Sequence, residues 1–240
     1  MNYFDEYVNM YDKNIPEINH KYLHSYRVMD NMAVIAKSMN LTPCDVKLAK
    51  YIGLLHDIGR FEQYKRFHSF SDINIDHGDL GEEILRKENI LKQFDIKEDD
   101  YEVIYKAIRN HNKYAIEPNL NKRELLFAKM IRDADKIDII YSIGNEKVYS
   151  IIKEDNTNIR DKVKKQFFDN KQVKRTSKET RNENIVVMFS FIYDLNFDIS
   201  LTIIKHRNLH QKVYERLRHK ELFKPYIEHI DNYINEKINN

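Results

Sequence analysis

The sequence predicts an all-α protein, and three observations carry the prediction. Turn and strand punctuation is scarce: the 240 residues include 5 Gly and 4 Pro, so few positions invite the tight turns of a β fold. Charged residues make up 32% of the chain, a share that suits long helices with solvated faces. Apolar side chains recur at helical rather than alternating spacing, as in Tyr22, Leu23, Tyr26, Met29, Ala33 and Ala36. In the absence of tryptophan, 16 Tyr and 12 Phe supply most of the large apolar surface, together with Ile and Leu.

The elements follow in order. Residues 2–12 read as a short leading helix with Tyr3, Tyr7, Val8 and Tyr11 on one side. Beyond Pro16, a longer helix spans about Ile18 to Met39. Thr42-Pro43 then reads as an N-cap followed by proline at the first helical position. That helix is expected to end at His56-Asp57-Ile58-Gly59, with Gly59 as its terminator. Residues 60–76 read as a long irregular connection, a type of loop that often carries function. A helix from Glu82 to about Asn89 follows, then one through Ile104, Ala107 and Ile108 that ends near His111. Asn121 caps a strongly apolar helix leading to Asp133-Ala-Asp135-Lys136. Residues 153–183 are polar and lysine-rich, partly helical, with Phe167 and Phe168 as apolar anchors. Helices from Ile185 to Leu195, from Ser200 to Arg207 and on to the C-terminus complete the chain. Nothing resembles a repeat or a flexible linker, so residues 1–150 are expected as a helical core and 151–240 as a C-terminal helical extension packed on it.

Composition also narrows the function classes. Lys and Arg (40) nearly balance Asp and Glu (38) for a net charge of +2, which marks neither a nucleic-acid nor a membrane surface. The stretch Lys162 to Arg181 lacks the signature of a nucleic-acid module. The single cysteine, Cys44, excludes an internal disulfide framework and a thiolate metal cluster. No apolar run approaches the roughly 20 residues of a membrane span, and the acidic, aromatic N-terminus is unlike a secretory signal. A soluble cytoplasmic protein with neither a membrane nor a nucleic-acid partner is the expectation.

His56 and Asp57 sit side by side at the end of an apolar run, where an unpartnered polar pair is costly to bury. His24, His77, His111 and Asp135 fall at or near the ends or inner faces of the neighbouring helices. Helical bundles build metal sites in this way, each helix contributing one or two inward side chains, and histidine with carboxylate suits a divalent ion. Asp133 competes with Asp135, and His68 reads as a loop residue. His206, His210, His219 and His229 show no pairing that makes a second site.

The strings His24-Ser-Tyr-Arg-Val28, Leu55-His56-Asp57-Ile58-Gly59 and Arg132-Asp-Ala-Asp-Lys-Ile-Asp138 resemble, in this order, the motif of the HD superfamily of metal-dependent phosphohydrolases. The resemblance covers about Tyr22 to Ile140 and implies an HD-domain-like helical bundle. It implies His24, His56, Asp57 and Asp135 as ligands of a divalent metal, with Asp133 as a partner of a ligand histidine. Asp135 is preferred because it is followed by a basic and an apolar residue, Lys136-Ile137. His77 and His111 resemble the extra histidines of two-metal branches, in which Asp57 would bridge. Asn112 departs from the pattern, since many two-metal phosphodiesterase relatives have a second consecutive histidine there.

The implied activity is hydrolysis of a small phosphate ester, with a nucleotide among the candidates, by a metal-activated water or hydroxide. One or two ions (Mn, Fe, Co, Ni, Zn or Mg) would serve. Asp57, Arg60 and Lys136 are the expected catalytic residues, Arg60 holding the phosphate where related enzymes often have lysine. Arg109 and Lys113 are further candidate phosphate contacts, and Arg27 is expected to pair with a carboxylate. Two alternatives share the ligand set: an HD-type di-iron oxygenase, and a non-catalytic metal module that binds a nucleotide.

Overall fold

A computed structural model describes residues 2–146, 153–176 and 178–239, which form helices and 3₁₀ turns with no strand among them. The helices are α1 (Asn2–Val8), α2 (Pro16–Ser38), α3 (Pro43–Leu55), α4 (Ile58–Phe67), α5 (His77–Lys87), α6 (Tyr101–Asn110), α7 (Lys122–Asn145), α8 (Asp161–Phe168), α9 (Arg181–Phe189), α10 (Asp198–His206), α11 (Leu209–Glu215) and α12 (Lys220–Asn239). The expected all-α class is the one observed. The chain forms two compact units, Met1–Asp135 and Lys136–Asn240, with α7 beginning in the first and ending in the second. The division expected between residues 150 and 151 falls outside the described residues. Among the described residues, no helix is long and apolar enough to cross a membrane.

In the first unit, α1 is anchored by aromatic packing and by Asp5. Phe4 and Tyr7 are buried against Phe61 of α4, with ring centroids 6.1 and 6.3 Å away. The Tyr22 and Tyr26 hydroxyls of α2 donate to Asp5 Oδ1 at 2.9 and 2.6 Å. The start of α3 is as expected, with Pro43 in the first turn and the Asp45 N–H donating to Thr42 Oγ1 at 3.2 Å. Asn121 also caps as expected: its Oδ1 accepts from the Arg123 and Glu124 N–H groups at 2.9 and 3.0 Å, while Glu124 accepts from the Asn121 N–H.

Three expectations need correction around the His56-Asp57 pair. Residues 60–67 are helical, so only 68–76 form an irregular connection. No Gly or Pro interrupts 60–67, and burial of Phe61 among α1 aromatics favours the helix. The helix stops at His68, whose φ of 48° is left-handed and whose N–H closes the last turn onto Tyr64 O. Gly59 is not a terminator. The helix breaks earlier, at His56 and Asp57 (φ −102°, ψ 18°), and Gly59 lies inside α4. A Cβ on Gly59 would collide with the His77 carbonyl oxygen and lie 2.7 Å from Gly81 N, so this glycine permits close approach of α4 and α5. Finally, α5 starts at His77, earlier than expected, because Asp76 Oδ1 accepts from the Gly78 and Asp79 N–H groups at 2.9 and 3.0 Å.

In the second unit, α9 opens with a full capping box between Thr180 and Glu183. Arg160 donates to both Glu183 carboxylate oxygens at 2.7 and 2.6 Å, which brings the Glu183 carboxyl down to about 2. Phe167 is fully buried against Tyr193 and Tyr226, whereas Phe168 is partly exposed.

Because its obstacles are backbone atoms, Gly59→Ala is expected to destabilise the protein by about 3 kcal/mol. Gly144→Ala, whose nearest obstacle is the Lys212 Cβ at 3.2 Å, should cost less. Chemical denaturation of both variants checks this, and equal losses would contradict the close-approach role of Gly59.

Candidate metal centre

The break between α3 and α4 places His56 and Asp57 at the meeting point of two helix ends. His24 reaches them from α2, His77 from the first residue of α5, His111 from the residue after α6, and Asp135 from α7. All six are buried, with Asp135 the most exposed at 9%. The imidazoles form a chain, with ring centroids 5.0 Å apart for His24 and His56, 5.1 Å for His56 and His111, and 4.8 Å for His111 and His77.

Asp57 divides this cluster in two. Its Oδ2 lies 3.5 Å from His24 Nε2 and 3.6 Å from His56 Nε2. Its Oδ1 lies 3.4 Å from His77 Nε2 and 3.5 Å from His111 Nε2. Asp135 Oδ1 joins the first group, 3.1 Å from His24 Nε2 and 3.6 Å from His56 Nε2. The ligand atoms of His24, His56 and Asp135 lie within 4.8 Å of one another, as do those of His56, Asp57 and His111. Asp133 is also buried, but it belongs to neither of these groups.

The tautomers follow from the outer ring nitrogens. His56 Nδ1 donates to Gly53 O at 2.8 Å and His111 Nδ1 to Ile108 O at 2.6 Å, since a carbonyl can only accept. His77 Nδ1 donates to Asp72 Oδ1 at 2.7 Å. A ring held through Nδ1 in this way, when neutral, turns its Nε2 lone pair inward. Burial pushes His56 below its usual value, and burial followed by the Arg60 charge takes His77 down to about 3. Burial pushes the Asp57 carboxyl up, but the Lys21 charge and the imidazoles around it outweigh that and hold it well below the usual range. Asp135 is likewise depressed despite burial, by its contacts with His24 and His56.

Three inward lone pairs and two carboxylates therefore face one another, with His77 and His111 Nε2 only 2.9 Å apart. Asp57 Oδ1 is buried and has no hydrogen-bond partner. Acceptors in such proximity call for a cation between them. The donor set fits a divalent ion of the kind His and Asp ligate.

Residues to which the sequence reading gave no supporting role hold this centre in place. Lys21 Nζ donates to Asp57 Oδ2 at 2.7 Å. Gln63, fully buried, donates to Ser71 O, Asp72 Oδ1 and Ile75 O at 3.2, 3.1 and 2.9 Å, fixing the loop that carries Asp72. Buried Arg132 donates to Asn110 O at 3.0 Å, Tyr114 O at 3.3 Å and also to Lys113 O, which secures the segment containing His111. Asn112, at the departure from the resembled pattern, donates to Asp76 Oδ2 at 2.9 Å. A single sequence shows each of these only as an ordinary polar residue.

The expected phosphate cations are placed as follows. Arg60 Nη1 donates to Gln63 Oε1, Phe70 O and Asp72 Oδ1 at 2.8, 2.6 and 3.1 Å, and its Nε lies 3.7 Å from Asp57 Oδ1. Lys136 pairs with Asp194 at 2.9 Å within the second unit. Lys113 pairs with Asp76 and Asp79, and Arg109 with Glu82 and Glu117.

A helical fold with a buried His/Asp cluster suited to a divalent ion defines a class of metal-binding proteins, and comparison with known families names it. Residues 22–140 match the HD domain, so the chain belongs to the HD family through this segment, a family typically of metal-dependent hydrolases. No curated protein and no solved structure matched the chain.

Two outcomes are expected. His56 and His77 have folded-state pKa values below the unfolded value of about 6.5, so as pH falls below 6.5 the unfolded state takes up protons that the native state refuses. Metal-free protein should therefore lose about 1.4 kcal/mol through His77 between pH 7.5 and 5.5, with His56 adding in the same direction. Urea midpoints at the two pH values check this, and equal or higher stability at pH 5.5 would contradict it. Asp72→Asn removes the carboxylate that orients His77 and should weaken binding of divalent metal by about 10- to 100-fold, measured by competition with a chelator.

Proposed function

We propose that the chain is a metal-dependent phosphohydrolase acting on a small phosphate ester, with nucleotides among the candidate substrates, at a centre that holds two divalent ions across Asp57. The supporting observation is the buried Asp57 carboxylate, whose two oxygens face separate pairs of imidazoles. On this reading His24, His56, Asp135 and Asp57 would hold one ion, and His77 and His111, with Asp57, would hold the other. The candidate metals are Mn, Fe, Co, Ni, Zn and Mg. Bound ions supply positive charge to phosphoryl oxygens and make water more acidic.

The chain's own residues do the rest. Gly53 O, Ile108 O and Asp72 hold three imidazoles in fixed tautomers, so the centre is organised before substrate arrives. Asp57 is itself 1% exposed and its sequence neighbours Leu54, Leu55 and Ile58 are fully buried, a setting out of bulk water that strengthens charge interactions. Arg60, held by the 68–76 connection, presents a fixed cation beside Asp57 Oδ1 for a phosphate oxygen. For Lys136 to act in the same way it must leave Asp194.

The test is a panel of phosphate esters offered to fully metal-loaded protein. Phosphate release with manganese or cobalt is expected, with a loss of about 100-fold or more in Asp57→Asn, whose side chain cannot carry the bridging charge. No turnover across the panel would count against a phosphohydrolase. A mixed-valent di-iron spectrum with oxygen consumption in the iron-loaded protein would favour the oxygenase instead.

A further inference from the structure

The HD strings begin at His24 and leave out the residue one helical turn before it. Lys21 Nζ lies 2.7 Å from Asp57 Oδ2 and 5.8 Å from the centroid of the Phe70 ring. It has no other hydrogen-bond or ion-pair partner among the described residues. An ammonium has three N–H donors, so two remain unclaimed by the protein. The Lys21 side chain is 14% exposed while that of Asp57 is 2% exposed, so part of the lysine side chain reaches the surface where the carboxylate does not.

The other cations expected near a phosphate are already engaged. Lys113 and Arg109 each face two carboxylates, and Lys136 faces Asp194. Arg60 Nη1 is committed to three acceptors in and near the 68–76 connection, and its Nε faces Asp57 Oδ1. Arg60 thus serves the His77/His111 side of the carboxylate, and Lys21 is bonded to Oδ2 on the His24/His56 side. Both cations lie against the same ring, Phe70, with Arg60 5.6 Å from its centroid. A carboxylate oxygen has two lone pairs, so Oδ2 can keep its bond to Lys21 while it ligates an ion.

We propose that Lys21 contacts the substrate directly, donating its free N–H groups to a phosphoryl oxygen on the His24/His56 side of Asp57, opposite Arg60. This rests on the phosphohydrolase reading. It assigns a specific chemistry to that side: a dianionic phosphate monoester, which places oxygens toward both Lys21 and Arg60, binds better than a monoanionic diester. Lys21 has no part in holding metal, and its bond to Asp57 keeps the ammonium aimed at the reacting group.

The experiment uses the full chain loaded with manganese, with metal content measured on every sample, and two probes: inorganic phosphate by calorimetry and p-nitrophenyl phosphate by turnover. Lys21→Gln, whose amide can still donate to Asp57 Oδ2, is expected to keep its metal, and only its metal-free form should melt lower, where no bound ion compensates the Asp57 charge. It should bind phosphate about 10- to 100-fold more weakly and lose a similar factor in kcat/KM, the range for a charged hydrogen bond. Lys21→Arg, which retains a cation, should recover most of both. In the wild type, p-nitrophenyl phosphate should be hydrolysed faster than bis(p-nitrophenyl) phosphate, and Lys21→Gln should narrow that preference. Phosphate affinity and kcat/KM unchanged in metal-loaded Lys21→Gln would overturn the inference and leave the phosphohydrolase reading standing. Loss of metal in Lys21→Gln with unaltered phosphate affinity in the loaded fraction would also overturn it, making Lys21 a residue that only positions Asp57. A metal-loaded wild type that neither binds phosphate nor turns over either ester would sink the phosphohydrolase reading itself, and this inference with it.

Discussion

The first unit is organised around one electrostatic requirement. A carboxylate that is almost fully buried has imidazole nitrogens on both sides and no hydrogen bond to one of its oxygens. Left alone, such a group would be expensive to bury. Lys21 compensates at Oδ2, while at Oδ1 the nearest groups are two imidazoles and the Arg60 Nε, none of them in hydrogen-bonding geometry. The Asp57 surroundings are therefore arranged for a cation rather than for the carboxylate's own stability.

The backbone serves the same requirement. A continuous helix through 43–67 would point His56 and Asp57 about 100° apart on one rod. The break at these residues instead sets them at the junction of α3 and α4. Close packing of α4 on α5 through Gly59 and Gly81 brings His77 to the junction, and Asp76 fixes where α5 begins. Arg132 ties down the segment with His111, and Gln63 ties down the connection with Asp72. The Arg132 and Gln63 ties run from buried side chains to backbone oxygens and, for Gln63, to Asp72 Oδ1 as well, the geometry that limits local motion around a site.

The sequence revealed these levels unequally. Helical class and helix caps were legible because they depend on local spacing and on residues such as Thr42, Pro43 and Asn121, whose preferences act within one turn. The spacing of His24, His56, Asp57, His77, His111 and Asp135 pointed to convergence because each falls near a helix end or inner face. The details that depend on contact between helices were not legible. Gly59 looks like a helix terminator unless one knows that α5 packs against it. Residues 60–67 look like a loop because polar and charged residues outnumber their three aromatics, and burial of Phe61 against α1 shows the helix. Lys21, Gln63 and Arg132 resemble surface residues in sequence; the acceptors of the hydrogen bonds given above lie between 8 and 36 positions away, beyond the reach of any local pattern.

The most direct test of Asp57 as the common ligand of two ions is diffraction from manganese-loaded crystals at wavelengths on either side of the metal absorption edge. The account predicts two anomalous peaks, about 3.5–4 Å apart, one on the His24/His56/Asp135 side of Asp57 and one on the His77/His111 side, with one carboxylate oxygen directed at each. A single fully occupied peak ligated without Asp57, or no peak between these side chains, would contradict it.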